Sequence, residues 1–186
     1  KKAQKGFSGS ANVEYGSYNT TKHSVSGTYR ADNYYVKLSS QIIDSDSFSA
    51  KAPRDSDLDS LEDDSYKNIT SNIKAGFNLT DTDKVDITHT VIDSDTEYDM
   101  NVYDASFNVD ELASANSEAL STTKNRFTKI NFNHIDSFNE LDIYAKKSLF
   151  NRDYPNDPYT KEFDGEVYEY GLKSNIAYRE KDFVLL

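Results

Sequence analysis

At 186 residues and a formal net charge of −11, from 32 acidic and 21 basic residues, the chain has room for one domain. It lacks the basic stripe that nucleic-acid phosphates require, so nucleic acid is excluded as an expected partner. The absence of cysteine removes disulfides, thiolate chemistry and zinc–cysteine sites, and no run approaches the roughly 18 apolar residues of a membrane-crossing helix.

Only 36% of residues are hydrophobic and Trp is missing, yet there are 14 Tyr and 10 Phe. That balance suits strands with one apolar face and one wet face. In the first strand Phe7, Gly9, Ala11, Val13 and Tyr15 alternate with Ser8, Ser10, Asn12 and Glu14. Val25, Gly27 and Tyr29 repeat the alternation, as do Val36, Leu38, Ser40 and Ile42. Gly16–Asn19 and Asp32–Asn33 supply residues suited to the two intervening turns. A long acidic connection follows from Asp44 to Tyr66, too polar to form a core and too long for a hairpin. The fourth strand sets Ile69, Ser71, Ile73, Ala75, Phe77 and Leu79 on one face; after Thr80–Asp83, the fifth sets Val85, Ile87, His89 and Val91.

A second long connection is expected from about Asp93 to Asn125, with a short helix in VDELASANSEAL capped by Asp110 or a neighbour. Two further strands carry Ile130 and Phe132, then Leu141, Ile143 and Ala145, joined by a turn at 136–139. A proline-bearing connection over about 150–164 precedes an eighth strand with Tyr168, Tyr170, Leu172, Ser174 and Ile176, and Phe183–Leu186 can open another. The expected fold is thus all-β, an antiparallel up-and-down meander of about eight strands. From the second turn onward short turns alternate with long loops, at about 44–66, 93–125 and 150–164, so a meander puts the long loops at one end. Outer-membrane barrels have that asymmetry.

The phrases VEYGSYNTTKHSVSGTYRADNYYVKLSS and SYKNITSNIKAGFNLTDTDKVDITHTVIDSDTEYD resemble the early barrel strands of TonB-dependent outer-membrane receptors related to the vitamin B12 and siderophore transporters. The likeness covers Gly6 to Asp99, and the remainder by pattern. It implies that residues 1–186 are part of a transmembrane β-barrel of about 22 strands, without the plug, the Ton box or the closing strand. The expected parent sits in the outer membrane among its lipids and takes up a siderophore, haem or corrinoid without chemistry on it. A TonB-type energiser acts through the plug. Ligand recognition falls to the long loops and to inward-facing Asn72, Lys74, Thr88, Lys129 and Lys173. Open strand edges favour self-association of such a piece. The alternative is a soluble, secreted β-sandwich adhesin binding calcium or glycans, which would bury Ile69, Ile73, Phe77, Val85, Ile87 and Val91 between two sheets.

Acidic clusters are the candidates for specific chemistry. Asp-x-Asp spacing recurs at Asp44 and Asp46, at Asp55, Asp57 and Asp59, and at Asp93, Asp95, Glu97 and Asp99, beside Glu62-Asp63-Asp64. Calcium takes six to eight oxygens, and two such segments can converge on one ion; acidic loops also serve simply to solvate an exterior. By the resemblance, calcium would be held by Glu62 and Asp64 from the first loop and by Asp93, Asp95 and Asp99 from the second, with Asp44 and Asp46 as secondary candidates. His23, His89 and His134 read as separate strand residues, and no phosphate-cradling glycine loop or nucleophile elbow is present.

Overall fold

A computed structural model describes residues 5–47, 49, 51, 53, 61, 63–117, 119–137, 139–156, 161–176, 178–180 and 183–185. Eight antiparallel strands follow one another in a single sheet: β1 (Gly6–Tyr15), β2 (Thr21–Arg30), β3 (Tyr34–Ser45), β4 (Tyr66–Asn78), β5 (Asp83–Tyr98), β6 (Ala119–Ile135), β7 (Asn139–Asp153) and β8 (Glu162–Ile176). The sheet does not close, since β1 and β8 are its two edges. A small hairpin of β9 (Tyr178–Glu180) and β10 (Phe183–Leu185) follows. The one helix among the described residues, α1 (Glu111–Ser114), is capped by Asp110, whose carboxylate accepts from the Ala113 amide at 2.9 Å.

The meander order is the expected one, but β5 to β8 are longer than their apolar alternation. The second connection spans 99–118 rather than 93–125, and the third spans 154–161 rather than 150–164. The added residues, among them Ser94, Thr96, Ser121, Thr122 and Thr123, are small or β-branched and polar on both faces. They extend the ladders without a hydrophobic period to announce them. The tight connections 31–33, 79–82 and 136–138 lie at one end of the sheet, and 16–20, 46–65, 99–118 and 154–161 at the other.

Cross-strand partners share a face, so the continuous register sorts every strand residue onto one of two surfaces. One carries most of the large apolar residues in the middle of the strands, with Arg126 and Glu166 towards the long-loop end; the other carries mainly Ser, Thr, Asn, Lys and Tyr, with Phe127, Phe150 and Val167 among them. Their exposure runs against the usual order of residue types: Ile73, Ile87 and Ile143 are 44%, 41% and 41% exposed, while Ser148 on the polar face is 4% exposed. Among the described residues the buried apolar side chains are Leu61, Ala115 and Ala119, all at the long-loop end and none in the middle of the sheet.

The apolar band also crosses the strands obliquely. Followed through successive partners, the row of Ala11 runs by Val25, Ser40, Ser71, Val91, Arg126 and Leu149 to Glu166. Ala11 is the middle of the β1 band, but the middle of the β8 band is Leu172, six residues beyond Glu166. At about 3.3 Å per residue and about 4.8 Å per strand, that slip is roughly 20 Å over roughly 34 Å, an angle of about 30°.

Two seams on the polar face hold neighbouring strands together. The Tyr35 ring lies over Gly76, its cross-strand partner, and the Tyr144 ring lies over Gly171 in the same way. Tyr35 Oη donates to Asp86 at 2.6 Å and Tyr144 Oη donates to Glu169 at 2.6 Å, which fixes each ring flat. A methyl group at either glycine would collide with the tyrosine ring. Gly76→Ala or Gly171→Ala is therefore expected to destabilise by about 1–3 kcal/mol, read from urea unfolding. Gly165→Ala, whose added methyl meets nothing nearer than 3.5 Å, should leave the midpoint unchanged or raise it.

Candidate metal and ligand site in the long loops

The connections 46–65 and 99–118 dock on each other through a small polar core. Asp99, directly after β5, is 8% exposed, and its Oδ2 accepts from Ser49 Oγ at 3.0 Å and the Lys51 amide at 2.9 Å. Ser49 Oγ also lies 3.2 Å from the Ala115 carbonyl, while Lys51 Nζ donates to Asn101 at 2.6 Å. Within the second loop, Ser114 Oγ accepts from the Val102 amide and Ser117 Oγ from the Met100 amide, at 2.9 and 2.7 Å. Serine hydroxyls thus take up loop amides that no ladder reaches.

Asp64 is also 8% exposed. The Ser65 amide donates to Glu97 Oε2 at 3.0 Å and the Glu97 amide to the Ser65 carbonyl at 2.9 Å, continuing the β4–β5 ladder past Tyr66↔Thr96. Asp64 and Asp99 therefore stand at the same end of one ladder. Asp99 Oδ1 is buried and accepts no hydrogen bond among the described residues. A buried carboxylate oxygen in that condition is of the chemical kind that a cation satisfies.

The other expected ligands lie elsewhere. Asp93 and Asp95 belong to β5 and point along the apolar face, where Asp93 Oδ1 meets Arg126 at 2.8 Å and Asp95 Oδ1 accepts from Thr122 at 2.8 Å. Asp44 lies 4.0 Å from Lys67 and Asp46 accepts from Asn19 at 2.6 Å. Glu62 falls outside the described residues. Among the described residues no group of three or more Asp, Glu or His gathers as for a metal. His134 sits between two acids at the opposite end, its Nδ1 2.7 Å from Asp83 and its Nε2 3.3 Å from Asp136, where it ties two tight turns together. His89 Nδ1 is 2.9 Å from Thr128 Oγ1.

A second feature of the 99–118 loop carried no hydrophobic period. Tyr103 bridges Val109, and between them Asp104 accepts from the Ser106 and Asn108 amides at 2.8 and 2.9 Å. The fold of this tip sets Phe107 at φ 62° with 89% of its surface exposed, and Tyr103 and Leu112 of the same connection are exposed too. A bulky residue in the left-handed region costs on the order of 1 kcal/mol or more, so the aromatic is held out rigidly at some expense. The local signal is Asp104 followed by Ser106, the sequence of an Asx turn. The tip is an exposed apolar projection at the long-loop end of the sheet.

The amides of Asn108 and Ser106 hold the Asp104 carboxyl below its ordinary value, in that order of importance. The contribution of this cap is complete above the ordinary carboxylate range and is lost as pH falls through the depressed folded value. In an NMR titration the Ser106 and Asn108 amide resonances should move together in that acidic window, and Asp104→Asn should abolish the step. Neither a family model nor a curated protein matches the chain.

Proposed function

We propose that this chain is a segment of the barrel of a TonB-dependent outer-membrane receptor, serving energised uptake of a siderophore, haem or corrinoid without altering it chemically. The observation that carries this reading is the inversion of the two faces. Large apolar residues cover the exposed side of a one-layer sheet, and hydroxyls, amides and lysines occupy the better-covered side. Lipid outside and a hydrated lumen inside make sense of both. Two features add support. The roughly 30° slant of the band approaches the 35–45° strand tilt of barrels, and the loops sort by length between the two ends. The edges β1 and β8 then pair with further strands of the same barrel, and in their absence with another copy. A β-sandwich would need a second layer over Ile73, Phe77 and Ile87.

In this reading the long loops face the outside and receive the ligand, with Phe107 and Tyr103 as apolar contacts. The tight turns face the periplasm, and an inner-membrane energiser acts through a plug in the lumen. Calcium belongs to the same proposal: bound by Asp64 and Asp99, with Glu62 as a further donor, it would lock the first two long loops together. Calorimetry should then show a saturable calcium heat that Asp99→Asn removes; a flat titration of the parent chain would dispose of the ion.

Orientation is tested with a single tryptophan, since the chain has none. In vesicles, Ile73→Trp should be quenched by lipids brominated on their acyl chains and Asn72→Trp should not. Equal quenching of both by aqueous iodide, with none from the brominated lipid, would refute the barrel.

A further inference from the structure

We infer that the polar face carries a binding row for small, multiply charged anions, built from Lys37, Lys74, Lys129 and Lys146. The register places these four lysines in one line across the sheet: Lys37 is directly opposite Lys74, Lys74 opposite Thr88, Thr88 opposite Lys129, and Lys129 opposite Lys146. Like charges in directly opposed cross-strand positions are destabilising, and here that arrangement occurs twice in one row. It does so in a chain of net charge −11, rich in acids that would have relieved it. A fold that needed only a wet face would have used Ser, Thr and Asn here, as it does at Ser39, Asn72 and Thr90 in the next row.

The acids nearby offset these charges only in part. Among the described residues Lys37, Lys74 and Lys129 enter no ion pair. Of the carboxylates on the same face, Asp86 is engaged by Tyr35 and by Lys84 at 2.8 Å and also feels Lys74, Glu169 is engaged by Tyr144, and Asp142 keeps one buried oxygen without a hydrogen bond among the described residues. Lys146 stands opposite Glu169 in the same row and pairs with it at 3.5 Å, while Lys129, 4.2 Å from the centre of the Tyr144 ring, acts on the same carboxylate, so one acid serves two ammoniums. Each opposed pair spans one strand spacing, about 5 Å, so two ammoniums can share one carboxylate or phosphate. The inner members of the two pairs stand two strands apart, about 10 Å, with the Thr88 hydroxyl between them. That layout fits a ligand with two or more separated anionic groups.

The assignment rests on the lumenal reading of the polar face and narrows it: the cargo taken is anionic, of the carboxylate or phosphate class, and not a neutral or cationic molecule. The test uses the whole chain in nonionic detergent micelles at low salt, titrated with sodium citrate by calorimetry and by amide NMR. The expected result is saturable binding that perturbs the Lys37, Lys74, Lys129 and Lys146 amides and weakens as salt is added. Removing one ammonium from each pair, in a K74Q and K129Q double variant, should weaken binding by at least about tenfold, while the corresponding arginine variant keeps it. No saturable response to citrate overturns the proposal, as does unchanged affinity in the double variant. A response to a polyglutamate peptide but not to citrate also overturns it, because the row would then serve a protein segment. Failure here is separable from failure of the barrel, which the lipid-quenching pattern of Ile73→Trp reports independently of any anion.

Discussion

A sheet one layer thick has no interior, and everything else about this molecule answers to that constraint. The seven ladders satisfy the backbone of the strands they join, but hydrogen bonds between strands do not decide what lies above and below them. In a sandwich or an α/β fold the answer is another layer, which hides the apolar side. Here Phe77 and Leu172 stay open at 44% and 69% exposure, and burial of apolar area contributes little within the chain itself. The stabilising term such a fold normally relies on must come from whatever solvates the oily side.

Cohesion across the strands has been moved to the opposite side instead. Tyr35 over Gly76 and Tyr144 over Gly171 replace part of a missing core by ring-on-backbone contact. Each ring is tethered by a carboxylate, and Arg30 lies 5.0 Å from the Tyr35 centroid. Such contacts tie two strands at a time and leave the space above the sheet unfilled. Polar residues thus hold the sheet together without blocking it, which lets the same face present a charged row.

Much of this was legible in the residues because a period of two survives wherever one face meets an apolar medium. The middles of all eight strands, the tight turns at Asp32, Thr80 and Asp136, and the Asp110 cap follow from local chemistry. The strand ends did not announce themselves. Beyond the apolar band, Asp93 to Tyr98 and Ala119 to Thr123 are polar on both sides, and only pairing with a neighbour reveals them as strand. For the same reason Asp93 and Asp95, which read as loop ligands, belong to a ladder and serve Arg126 and Thr122. The buried Asp99 carboxylate was visible as an acid but not as a buried one, since that depends on Ser49 and Lys51 arriving from a segment about 50 positions away. The lysine row was equally hidden: the four residues come from four strands, and only the register aligns them.

The sheet has an even number of strands, and β1 begins where β8 finishes, beside the tight turns. A block with that parity is a closed excursion: the chain leaves one rim of the sheet and comes back to it. Strands could be added to or taken from either edge two at a time while preserving which rim carries the long connections.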